Sequence, residues 1–339
     1  MFPALILAAV VAASPSPSPT PSPTPSPPYS LHGAFSLYSD LKSTTDLSNG
    51  LVTISKNTGT LQGSITAGAY AFPVVGQTLE ATTAQGANAS LYGYVPAYDL
   101  AYAPNGNLTI SAGQLATLLG QENGFTFQNF DIQRGLVWAA EPTFSRGLRV
   151  AYANGKISGD LEYDDGYYSG DAGRAVEGLV GWAPTANTAW SFAFIVPGAN
   201  TPANVTASIA NKREYDVMLT QQFGKLQLEP YLLDIESPAS AALAYTRSES
   251  ALGAVVLANY AFNAVYSIGG RFESFADHSA ASDTSLNADL VGYGPGSHAT
   301  TWTITPQYHP GPFFARAEYS LVAGSFSQSR YIAEIGAQF

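Results

Sequence analysis

The feature that most narrows the folding options is a period of two, most plainly readable in Tyr331-Ile332-Ala333-Glu334-Ile335-Gly336-Ala337-Gln338-Phe339. Tyr331, Ala333, Ile335, Ala337 and Phe339 fall on one face of a strand. Taken alone, this is an ordinary amphipathic strand ending in an aromatic. Upstream, seven further segments approach a turn with an aromatic on the same alternate face as their apolar residues, so the last segment repeats a pattern that runs through the chain.

Two kinds of connection alternate between these segments. Short turns lie at 57–59, 104–106, 154–155, 184–188, 224–225, 262–263 and 309–312, and several carry the Asn-Gly or Pro-x-Gly chemistry of tight hairpins. Longer polar connections are expected at 41–49, 71–96, 116–144, 165–172, 197–211, 236–250, 275–296 and 323–328. The alternation implies about sixteen antiparallel strands with both chain ends on the short-turn side. Tyr92, Tyr94 and Pro96 leave room for one more strand within 71–96.

Within the segments one face is apolar and the other polar. Tyr98, Leu100 and Tyr102 oppose Asp99; Leu148, Val150 and Tyr152 oppose Arg149; Trp302, Ile304 and Tyr308 oppose Thr301, Thr303, Thr305 and Gln307. A soluble sandwich would share this alternation, but it has no reason to sort aromatics by height. Here Tyr102, Tyr152, Trp182, Phe223, Tyr260, Tyr308 and Phe339 cluster beside the short turns, and Tyr163, Tyr215, Phe272, Trp302, Tyr319 and Tyr331 lie at the opposite strand ends. Two aromatic girdles around an apolar band match a membrane with two interfaces. The predicted fold is all-β: a transmembrane antiparallel up-and-down β-barrel of about sixteen strands, with short periplasmic turns and longer extracellular loops. Closure is expected between the terminal strand and Leu31-Gly33-Phe35-Leu37.

Composition supports this and excludes other classes. Charged residues are only 12% of the chain, while Tyr and Phe number 20 and 17. A net charge of −11 with 14 Lys and Arg argues against nucleic acid. Without cysteine there is no disulfide framework or thiolate metal site. Residues 1–13, with the apolar run Pro3 to Ala13, read as an export signal peptide too short to span a bilayer. Residues 14–28 form a Pro/Ser/Thr-rich disordered linker of polyproline type, and 29–339 form the barrel.

Gly113-Gln114-Leu115-Ala116-Thr117-Leu118-Leu119-Gly120, then Gln133-Arg134-Gly135-Leu136-Val137-Trp138 and Ser145-Arg146-Gly147-Leu148-Arg149, resemble the OmpL-like family of beta-barrel porins of Gram-negative outer membranes. The resemblance spans most of 30–339 and is clearest at 107–184. It implies residence in the bacterial outer membrane. Phe339, with Tyr331, resembles the signal read by the barrel-insertion machinery.

The four histidines are scattered, and no phosphate loop, nucleophile elbow or zinc signature appears. The chain is therefore expected to be no enzyme and to need no cofactor. The expected function is a porin for passive diffusion of small hydrophilic solutes, mildly cation-preferring because inward acids outnumber bases. Connection 116–144, carrying Glu122, Asp131, Arg134 and Glu141, is expected to fold inward and constrict the lumen. Arg149, Lys156, Asp160, Glu162, Glu214, Asp216, Arg271, Arg316 and Glu318 are candidate wall residues. A structural or adhesive barrel with a plugged lumen is the alternative, and a barrel-embedded lipid hydrolase a third reading. The apolar exterior is compatible with outer-membrane lipid and with a homotrimer.

Overall fold

The computed structural model describes residues 28–41, 44–79, 82, 92–166, 174–198, 211–285 and 287–339. The predicted signal peptide and nearly all of the predicted linker lie outside them.

Sixteen strands form one closed sheet among the described residues. In chain order they are β1 (Ser30–Ser39), β2 (Thr45–Lys56), β3 (Leu61–Tyr70), β4 (Ala97–Tyr102), β5 (Leu108–Ala116), β6 (Phe144–Asn154), β7 (Ile157–Asp164) and β8 (Ala175–Thr185). They continue as β9 (Thr188–Pro197), β10 (Arg213–Phe223), β11 (Leu226–Ser237), β12 (Glu249–Ala261), β13 (Tyr266–Asp277), β14 (His298–Tyr308), β15 (Phe313–Gly324) and β16 (Gln328–Gln338). Every strand pairs antiparallel with its sequence neighbour, and β1 pairs with β16 to close the barrel. At that seam Phe35 stands opposite Ala337 and Leu37 opposite Ile335. Gly33 and Phe339 exchange backbone hydrogen bonds of 3.0 and 3.1 Å. Closure leaves no edge, which is what permits strands in a solvent that cannot hydrogen-bond.

The outward parity carries the predicted girdles. Tyr102, Tyr152, Trp182, Phe223, Tyr260, Tyr308 and Phe339 are all exposed, as are Tyr163, Trp302 and Tyr331 toward the other rim. All the predicted short turns connect strands.

Three expectations change. The predicted connection 41–49 is largely strand, because the reversal closes early: Thr44 N–H donates to Asp40 Oδ1 (2.8 Å) and Asp40 N–H to the Thr44 carbonyl (3.0 Å), freeing Thr45 onward to pair with β1. Tyr92 to Pro96 add no strand; Tyr92 turns inward and packs edge-on against Phe72 and Phe144. The inner wall is not uniformly polar. Ile195, Met218, Tyr231, Leu233, Ile235, Val255, Leu257 and Phe275 point inward from β9 to β13. Together with Val75, Leu136, Val137, Leu290 and Val291 from connecting segments they form an apolar cluster inside the barrel.

Candidate functional site, a lumen crossed by an inserted loop

Between β5 and β6 the chain leaves the wall and crosses the interior as residues 117–143, interrupted by short 3-10 turns at Thr126–Gln128 and Val137–Ala140. Its backbone amides cannot pair with a neighbouring strand there, so they need acceptors. Inward carboxylates of the wall supply them. Leu118 N–H donates to Glu177 of β8 (3.0 Å) and Gly120 N–H to Asp216 of β10 (2.8 Å). Leu136 and Val137 N–H donate to Glu273 of β13 at 3.0 and 3.2 Å. Gln133 N–H donates to Glu318 of β15 at 3.0 Å, joined by Ile132 N–H. Hydroxyls add two anchors, from Thr126 to Glu334 of β16 (2.7 Å) and from Thr305 of β14 to Asp131 (2.6 Å). Such charge-assisted bonds offset the desolvation that would otherwise expel a carboxylate from a buried position.

Cations complete the seat. The Arg271 guanidinium binds Glu122 (2.8 Å), Glu273 (3.0 Å) and the Gln133 carbonyl (2.7 Å), and its side chain is fully enclosed. Arg316 ties Glu334 of β16 to the Asn129 carbonyl of the loop (3.0 Å). The same Glu334 accepts from Ser36 of β1 (2.8 Å), so the loop seat and the barrel seam share one carboxylate. A second inserted segment braces the first: Val75 N–H donates to the Arg134 carbonyl (2.9 Å), and Arg134 N–H donates to Pro73 (2.8 Å). The Arg134 guanidinium lies 5.6 Å from both the Phe72 and Trp138 rings, in cation–π range.

These contacts place the residues singled out from the sequence. Glu122, Asp131, Arg134 and Glu141 are buried in the loop and its contacts with the wall. Burial pushes the Glu122 carboxyl up to about 7, against the opposing pull of Arg271. Burial also raises Asp131 and Glu141, the latter further because Asp216 and Glu214 stand near it. Asp216, Arg271, Arg316 and Glu318 are the loop anchors just described. Arg149 pairs with Glu162 (2.6 Å) and reaches the Ala116 carbonyl. Lys212, just before β10, lies 3.1 Å from Glu214 and 2.5 Å from the Ala140 carbonyl. Asp160 faces the lumen half-buried, but Lys156 sits exposed in the β6–β7 turn and not on the wall. Tyr331 and Phe339 stand on the outer face, 54% and 62% exposed.

Sequence reading assigned no site role to Glu177 or Thr126, and placed Thr305 only on a polar face and Gly135 only within a family-like segment. Gly135 had a legible signal, a glycine set between Arg134 and Leu136 in a long connection. A methyl there would overlap the Glu273 carboxylate.

A closed sixteen-strand barrel with an apolar outer belt, two girdles and a long loop bound inside is an outer-membrane barrel of the porin kind. The family described as "Putative beta-barrel porin-2, OmpL-like" matches residues 25–339, and the chain belongs to it. Among solved structures the barrel is similar to the outer membrane channel DcaP of Acinetobacter baumannii (11% identity, TM-score 0.61, covering 92% of this chain and 97% of that one). It is also similar to OmpT of Vibrio cholerae in its trimer form (11%, 0.58, 92% and 98%) and to an anion-selective porin from Comamonas acidovorans (10%, 0.58, 91% and 98%). At such identities the likeness concerns the fold. No curated protein matches the sequence.

Proposed function

We propose that the chain is a general porin through which small hydrophilic solutes diffuse passively, mildly favouring cations, with no catalytic step. The observation that carries this reading is the inserted loop, tied along 118–137 to inward side chains of β8, β10 and β13 to β16. That arrangement lays a span across a barrel of this strand number, anchored on opposite walls, and leaves a narrowed passage beside it. Polar inward residues at the short-turn end, such as Ser64, Ser111 and Thr220, give hydrated solutes hydrogen-bonding partners on their way.

The partners in this reading are outer-membrane lipid around the girdles, the hydrophilic solutes, and the insertion machinery meeting Phe339. A homotrimer fits the apolar exterior and the trimer form of the OmpT relative; native mass measurement in mild detergent would return three chains. Purified protein in a planar bilayer is predicted to open stepwise, ohmic channels. The apolar cluster inside the barrel favours a second reading, a structural or adhesive barrel with a plugged lumen. Absence of current from correctly folded protein would select that alternative.

A further inference from the structure

If the lumen conducts, the wall carboxylates that accept loop amides cannot also serve as its open negative charge. Glu177, Asp216, Glu273 and Glu318 each have an oxygen committed to a backbone N–H, and all are buried. The inward acids away from the loop have a different distribution. Asp99 lies three positions from the short-turn end of β4 and Asp160 three from that of β7, both only half-buried, whereas Glu229, three from that of β11, is buried. At about 3.3 Å per residue this is one level, roughly 10 Å from the short-turn rim. Its other inward positions include Thr53, Ser64, Ser111, Ser191, Thr220 and Asn259.

The loop covers only part of this level. At Phe130 it reaches toward the short-turn end: the Phe130 carbonyl accepts from Gln307 of β14 (2.8 Å) and abuts Gly269 of β13, Asn129 holds Arg316 of β15, and on the far side Gln121 donates to the Leu219 carbonyl of β10 (3.4 Å). The arc from β13 to β15 is therefore occupied, and with it Arg316, the one arginine at this level among the described residues. On the arc from β3 to β12, no lysine or arginine among the described residues projects inward at the same height. Arg149, deeper on β6, is held by Glu162 and the Ala116 carbonyl. Asp99 accepts from Ser64, a bond that orients the carboxylate without cancelling its charge, whereas Glu229, which accepts from Gln227 (2.7 Å), is buried like the loop anchors.

We propose that Asp99 and Asp160 are the charge filter of this lumen. They would favour small hydrophilic cations over anions at the short-turn end, while the inserted loop sets the size limit. The inference rests on the porin reading above. Carboxylates spread around a narrowed, water-filled passage lower the entry cost for positive charge, most at low ionic strength where screening is weak.

The test is the reversal potential of reconstituted full-length protein in a KCl gradient, for the wild type and for the double variant Asp99→Asn, Asp160→Asn. The wild type should prefer potassium, and the variant should lose that preference by about twofold or more toward unity, with single-channel conductance largely kept. Ser191→Lys, a single change on the same level and arc, should move the ratio the same way and is the measure to use if the double variant does not assemble. An unchanged ratio in a conducting variant of either kind overturns the filter. A folded wild type that prefers anions, or passes no current, removes the porin reading itself and the filter with it.

Discussion

At the scale of single residues, a carboxylate in this barrel serves either the chain or the solvent, and geometry separates the two. Glu273 and Asp160 both alternate with apolar neighbours along a strand, yet Glu273 receives two loop amides and Arg271, while Asp160 faces the lumen. Nothing local in the sequence distinguishes them, because the difference is a contact between positions 136 and 273. Arg271→Met would leave Glu122, Glu273 and Asp131 buried without their cation, a loss of about 3–5 kcal/mol by analogy with other broken buried pairs. The expected result is a lower unfolding midpoint in denaturant together with a larger, noisier single-channel current. A midpoint unchanged from wild type would mean the cation is not holding the loop. Glu122 adds a pH dependence. Its carboxyl titrates at about 7 when the loop is seated, above the ordinary carboxylate value, so the seated state takes up a proton more readily than the free one. Seating is then strongest below about pH 4.5 and weakens as pH rises through 7. Single-channel conductance should therefore be smaller at pH 5 than at pH 8, and Glu122→Gln should flatten the difference.

At the scale of elements, the strands were legible and their contents only partly so. Tyr98, Leu100 and Tyr102 announce an outward face through a period of two, and the glycine and asparagine turns fix where the sheet reverses. The run Tyr231-Leu232-Leu233-Asp234-Ile235 is different. Its acid shares the parity of Leu232, so alternation would turn that face inward, yet Leu232 and Asp234 are exposed on the outside while Tyr231, Leu233 and Ile235 face inward; that follows from the segments packed inside. Segment 41–49 misled because Asp, Ser and Asn suit a loop, whereas the Asp40 to Thr44 reversal leaves them free to pair. The inserted loop depends on close approach at glycine. Gly135→Val would collide with the Glu273 carboxylate, and crowding of that kind typically costs about 1–3 kcal/mol. Since the barrel wall does not need Gly135, the variant should still shift on a gel upon boiling, as a closed barrel does, while its loop becomes more sensitive to protease than that of the wild type.

At the scale of the molecule, the seam and the interior are joined. Glu334 of β16 meets Ser36 of β1 across the closure, Arg316 within the sheet and Thr126 of the loop, so the loop's seat on this side is complete only once the barrel has closed. Phe339 lies at the same seam, its backbone paired with Gly33 and its ring exposed on the lipid face. Removing Phe339 should accordingly lower the yield of folded, membrane-inserted barrels while leaving the conductance of those that form near the wild-type value. The closed sheet, the girdles and the inward loop were foreseeable from a period of two, from aromatics sorted by height and from one overlong connection. The division of labour among the acids was not, because it arises from contacts that exist only in the closed barrel. A porin of this build needs a conducting lumen narrowed by residues 117–143. Single-channel conductance of the wild type, compared with that of a variant in which 119–140 are replaced by a short glycine-rich turn, tests this most directly. Both proteins should form channels, with a severalfold larger current from the shortened one; equal currents, or no current from either folded protein, would contradict it.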